Sequence, residues 1–163
     1  VQFNDTFADV ILMTEFANPF LRIAIPCREP DWQLSSIEQV CNSSLCLLST
    51  VEDLYVEHRY SQLVWKIDAI ENTLWLQILL PFTAVENLYL SKESAPGIAA
   101  ALQELVGGGI TEVMPGLQNI FVEGLEQSGS FQEDIGQFVA ARQRSDHPIA
   151  ISVWDRDSDM ESM

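Results

Sequence analysis

One short pattern recurs along this chain: an apolar residue, two intervening positions, then apolar, aromatic, apolar and polar. It reads Val51-Glu52-Asp53-Leu54-Tyr55-Val56-Glu57, then Val85-Glu86-Asn87-Leu88-Tyr89-Leu90-Ser91, then Leu117-Gln118-Asn119-Ile120-Phe121-Val122-Glu123. Phe20-Leu21-Arg22-Ile23-Ala24-Ile25-Pro26 and Pro148-Ile149-Ala150-Ile151-Ser152-Val153-Trp154 keep the frame more loosely. The central apolar residues are Ile23, Leu54, Leu88, Ile120 and Ile151, at steps of 31, 34, 32 and 31. A period in the thirties with one short strand per period indicates stacked strand–helix units. Neither a strand of three or four residues nor one amphipathic helix buries its own apolar face, so each unit needs its neighbours.

The intervals supply the helices. Asp31 caps a helix whose apolar positions are Leu34, Ile37, Val40 and Cys41. His58–Asn72 is the longest polar connection, and its Leu63, Val64, Trp65 and Ile67 fold back onto the core. A helix over Thr73–Leu80, apolar nearly all round, stops at Pro81. Ser94 caps the next, with Pro96 in its first turn, Ile98, Leu102, Leu105 and Val106 on one face, and Gly107-Gly108-Gly109 at its exit. The last begins near Ser128-Gly129-Ser130 and buries Phe131, Ile135, Phe138 and Val139. Phe7–Met13 reads as a strand or a single helical turn, and periodicity does not decide between them. The expected fold is α/β: one domain over residues 1–163, a short leucine-rich-repeat-like solenoid. About five parallel strands lie on its concave face and helices on its convex face. Val1–Asn18 serves as a cap and residues 155–163 form an acidic tail. An open doubly wound sheet uses the same elements but does not require one shared strand frame.

Strand alternation assigns the faces. Val51, Leu54 and Val56 turn toward the core, and Asp53, Tyr55 and Glu57 turn outward. The corresponding outward sets are Asn87, Tyr89 and Ser91, then Asn119, Phe121 and Glu123. In register, Tyr55, Tyr89 and Phe121 stand about 4.8 Å apart as an aromatic ladder, extended by Ser152 and Trp154. Aromatic rings suit strands for stability alone. Exposed and rimmed by polar groups, they also make a partner-binding strip. The candidate binding residues are Asp53, Tyr55, Glu57, Asn87, Tyr89, Asn119, Phe121, Glu123 and Trp154.

Charge narrows the partners. Eight Lys and Arg against 24 Asp and Glu give a formal net charge of −16. Such a field repels phosphate backbones and anionic lipid and favours a protein or peptide partner of basic character. Its other consequence is simply solubility. An apolar fraction of 47% excludes disorder. Cys27, Cys41 and Cys46 are odd in number and lack C-x-x-C spacing, which suggests neither disulfides nor zinc. With no signal peptide and apolar runs such as Leu74–Phe82 too short to span a bilayer, the expected location is cytoplasmic. His58 and His147 are the only histidines, and neither lies beside a Ser or Cys nucleophile motif. Asp155, Asp157 and Asp159 begin like a calcium loop, but Met160 stands where that loop needs glycine. The three glycines leave a helix, whereas a phosphate loop enters one. No catalytic residue, metal or cofactor is assigned.

Five segments carry a family resemblance. They are Asp31-Trp32-Gln33-Leu34-Ser35-Ser36, Leu48-Ser49-Thr50-Val51-Glu52-Asp53-Leu54-Tyr55, Pro81-Phe82-Thr83-Ala84-Val85-Glu86-Asn87-Leu88-Tyr89-Leu90-Ser91, the stretch from Ala100 to Val106, and Gly136-Gln137-Phe138-Val139-Ala140-Ala141-Arg142-Gln143. Together they make the chain after about residue 17 resemble the repeat half of F-box-like, leucine-rich-repeat proteins of mushroom-forming fungi. The F-box itself has no counterpart here. The resemblance implies a substrate-recruiting half, or a paralogue without ligase function, and carries over no catalytic residue. Three functions are therefore weighed. The first is a non-catalytic interaction module using the concave face. The second is a small-molecule enzyme or carrier with a pocket between sheet and helices lined by Trp32, Trp65 and Trp75. The third is self-association through exposed solenoid ends.

Overall fold

A computed structural model describes residues 1–3, 7–13, 19–26, 30–43, 48–58, 72–124 and 130–155. Along the chain run β1 (Gln2–Phe3), β2 (Phe7–Met13), β3 (Pro19–Pro26), α1 (Pro30–Ser43) and β4 (Asp53–His58). There follow α2 (Asn72–Leu79), β5 (Asn87–Leu90), α3 (Ala95–Glu104), β6 (Asn119–Glu123), α4 (Ser130–Arg144) and β7 (Ala150–Trp154). The strands form one sheet in the order β3-β2-β1-β4-β5-β6-β7. The fold is α/β, and β4, β5, β6 and β7 form a four-stranded parallel run with a helix in each connection. Its register is the sequence frame itself: Leu54 pairs with Leu88, Leu88 with Ile120, and Ile120 with Ile151.

The same backbone bond recurs at each step. Asn87 N–H donates to the Glu52 carbonyl at 3.1 Å, Asn119 to Glu86 at 2.9 Å, and Ala150 to Gln118 at 2.8 Å. Inward residues Leu54, Leu88, Leu90, Ile120 and Val122 belong to one core cluster with Leu34, Ile37, Ile78, Ile98, Leu102 and Phe138 from the helices. The helices accordingly cover one face of this run, each packed on the next from α1 to α4. Burying one such side chain stabilises the fold by roughly 1.5–3 kcal/mol. Their spacing is what holds the short strands in line.

The amino-terminal segments depart from the expectation. Leu21–Ile25 lies in β3, yet β3 is not the neighbour of β4; β2 and β1 lie between them. β2 pairs antiparallel with β3 and with β1, while β1 pairs parallel with β4. Among the described strands, β2 therefore runs against all the others. The physical reason is the short link between Phe7–Met13 and Pro19–Pro26, which suits a hairpin and no crossover. The β4 edge is closed by β1, and β2 and β3 extend the sheet beyond it.

Two details differ from the helix reading. Ser94 has helical backbone angles and makes no side-chain cap bond. Instead its buried hydroxyl donates to the Val56 carbonyl at 2.9 Å and lies 3.1 Å from Ser91 Oγ, joining the exit of β5 to β4. Pro96 does occupy the first turn. α3 itself stops at Glu104 with Leu105 as its C-cap, and the glycines end the 3₁₀ turn that continues it. A single 3₁₀ turn, Leu105–Gly107, is followed by Gly109 at φ +85°, where a Cβ would meet the Glu112 carboxylate at 2.8 Å. Among the described residues no helix is long and apolar enough to cross a membrane. The connection at residues 59–71 and the acidic tail at 156–163 lie outside the described residues.

Candidate functional site

The face away from the helices carries two rows set by the parallel register. Tyr55, Tyr89 and Phe121 are paired across β4, β5 and β6, and their rings stack. Tyr55 and Tyr89 lie 4.2 Å apart at 7°, and Tyr89 and Phe121 lie 4.6 Å apart at 11°. Each stacked pair contributes about 0.5–1.5 kcal/mol beyond its buried area. Tyr55 is 39% exposed, and Tyr89 and Phe121 are half-buried.

Two residues earlier in each strand runs a polar ladder. Asn87 Nδ2 donates to Asp53 Oδ1 at 2.8 Å, and Asn119 Nδ2 donates to Asn87 Oδ1 at 2.8 Å. Its direction is forced from one end. An ionised Asp53 only accepts, so Asn87 must donate to it and expose its own oxygen to Asn119. Bonds in such a chain polarise one another. Glu52 and Glu86, exposed just before the strands, add negative charge at the same end of the sheet.

The third outward row behaves differently. Glu57 is 7% exposed and Ser91 is buried, with Gln2 of β1 paired beside Glu57 and Ser91 turned in against Ser94. Strand alternation alone puts both at the surface. Trp154 also departs from a simple extension of the ladder. It is 6% exposed, and its ring lies 5.5 Å from Tyr89 at 68° and 5.8 Å from Tyr55 at 62°. Since its own strand is two and three strands removed from theirs, the indole lies back across the sheet and packs edge-on against the stack. Glu123 is half-buried, and Ser152, paired with Phe121, is exposed. Asp53, Tyr55, Asn87, Tyr89, Asn119, Phe121 and Trp154 therefore share one face; Glu57 contributes little surface to it.

The other candidate chemistry does not converge. Trp32 is 67% exposed on α1 whereas Trp75 is 4% exposed in the core, so the two do not wall one enclosed space; Trp65 lies outside the described residues. Among the described residues no three His, Cys, Asp or Glu side chains are grouped to hold a metal. His147 Nδ1 lies 2.6 Å from the Ser145 carbonyl, in the turn that ends α4. The Cys41 thiol is buried and pushed up from 9.0 to about 11 by desolvation, which keeps it protonated and unreactive at neutral pH. On the helix side, a wide-mouthed depression of about 330 Å³ is lined by Val106, Gly107, Gly108, Ile110, Arg144 and Ser145, among others.

One buried group carries no signal in the sequence pattern. Arg142 is fully buried, with Nη1 donating to the Ile110 carbonyl at 3.3 Å and Nη2 to those of Pro115 and Leu117 at 3.2 and 3.0 Å. Burial lowers its pKa, although a guanidinium remains charged at neutral pH. It clamps the loop before β6 onto α4. Comparison with family models, curated proteins and solved structures returns no match.

Proposed function

We propose that this chain is a non-catalytic interaction module, a short leucine-rich-repeat-like solenoid whose concave face receives a basic peptide or protein segment. The observation that carries the reading is the three-ring stack of Tyr55, Tyr89 and Phe121 lying beside an amide ladder that ends on Asp53, all on the face away from the helices. Flat rings supply contact area at little entropic cost, and the polar row supplies hydrogen bonds. The charge of −16 selects for cations in the partner. Four strands in one frame, each packed through the next helix, support the solenoid reading. The resemblance to the repeat half of F-box-like proteins supports recruitment of a client in a cytoplasmic setting.

A selection from a random 12-residue peptide display library tests this, with a Tyr55→Ala, Tyr89→Ala, Phe121→Ala variant as counter-target. The expected result is enrichment of Lys- and Arg-bearing peptides that bind the unaltered protein and not the variant. Peptides that bind both equally, or no enrichment of basic sequences, overturn the proposal.

A further inference from the structure

Both outward rows stop short at β7. Where the frame calls for a fourth amide the chain has Ala150, paired with Asn119, and where it calls for a fourth ring it has Ser152, paired with Phe121. Both small residues are exposed. Trp154, which the frame places one step further along β7, is turned toward Tyr89 and Tyr55, and Ser152 stays exposed. The result is a notch about one strand wide, roughly 4.8 Å, open on its outer side because β7 is the edge strand. Its floor is Ala150 and Ser152. One wall is the face of Phe121 that is not stacked on Tyr89, and the other polar element is the end of the amide ladder.

That end has a fixed sense. Because Asp53 can only accept, each ladder amide directs one N–H toward β4, and Asn119 Oδ1 is left as an acceptor at the β7 end. Glu123, two residues beyond Phe121 on the same face of β6, adds a carboxylate. The notch therefore asks for a group that is flat, donates hydrogen bonds and carries positive charge. A guanidinium meets all three requirements, while an ammonium meets only the last two and cannot stack.

We infer that the β7 notch is a subsite for an arginine side chain of the basic partner, the guanidinium stacking on Phe121 and donating to Asn119 Oδ1. This rests on the functional reading above and names the residue that the face selects.

The test is calorimetric titration of the whole chain with hexa-arginine, hexa-lysine and hexa-citrulline peptides. Hexa-arginine should bind about tenfold tighter than hexa-lysine, and uncharged hexa-citrulline should bind weakest. Ser152→Phe fills the notch with a fourth ring, so it should keep or raise the melting temperature while bringing arginine down to the lysine level. Phe121→Leu should remove the same preference. Equal affinity for the arginine and lysine peptides, both lost in the triple ladder variant, overturns the notch and leaves the interaction face standing. An arginine preference that survives Ser152→Phe also overturns it. If neither cationic peptide binds, the basic-partner reading falls and the subsite falls with it.

Discussion

Arg142 ties the loop before β6 to α4 through a single buried side chain. Its buried guanidinium works on the backbone, donating to three carbonyls of the loop between α3 and β6 while its own stem packs against the core. Arg142→Ala would leave the carbonyls of Ile110, Pro115 and Leu117 without these donors, and urea unfolding should register a loss of about 3–5 kcal/mol. Cys41 gives a residue-scale prediction with a sign. Burial pushes its thiol from the ordinary 9.0 up to about 11 in the folded state, so between those values the native state holds the proton that the unfolded state has lost. Stability then falls as pH rises, by about 2 kcal/mol at pH 11 relative to neutral pH. The decline attributable to this residue should vanish in Cys41→Val, measured as the difference between the two pH–stability curves. Neither residue's role is readable from spacing. Gly136–Gln143 is a plain amphipathic stretch in the sequence, and only the path of the α3–β6 loop brings carbonyls onto Arg142.

At the scale of elements, the strand frame is legible because alternation and register coincide. Once Leu54, Leu88, Ile120 and Ile151 share the buried row, Tyr55, Tyr89 and Phe121 must share the outer one. The Asp53, Asn87 and Asn119 ladder carries the same signal, three short polar residues at one frame position. Asn87→Ala cuts that ladder at both bonds and should cost about 1 kcal/mol in thermal or chemical unfolding, given that the site is half exposed. The frame fails at β3, because a matching pattern says that a strand forms and not which strand it pairs with. Ser94 departs for a similar reason: its position before α3 fits a cap, but the nearby Val56 carbonyl captures its hydroxyl. Ser94→Asp separates the two roles. A capping site would tolerate it, whereas a buried hydroxyl site should lose about 2–4 kcal/mol of unfolding free energy, read from chemical denaturation. The burial of Glu57 and the backward course of Trp154 depend on β1 and on the width of the sheet, neither of which a seven-residue frame contains.

Over the whole molecule, function on the proposed reading comes from division of labour between the two faces of the sheet. The helices and inward rows form one core from Leu34 to Ile149, which fixes strand spacing. That spacing in turn sets the ring and amide ladders on the opposite face. A surface bearing a net charge of −16 should bind its basic partner more weakly as salt rises, with the loss concentrated below about 0.2 M where screening changes most. The most direct test of the proposed face is amide chemical-shift mapping of the isotopically labelled protein with the tightest peptide from the display selection. The largest shifts should fall on Asp53, Tyr55, Asn87, Tyr89, Asn119, Phe121 and Ser152, with α2, α3 and α4 little changed. Largest shifts on those helices, with the ladder residues unmoved, would contradict a binding role for the sheet face.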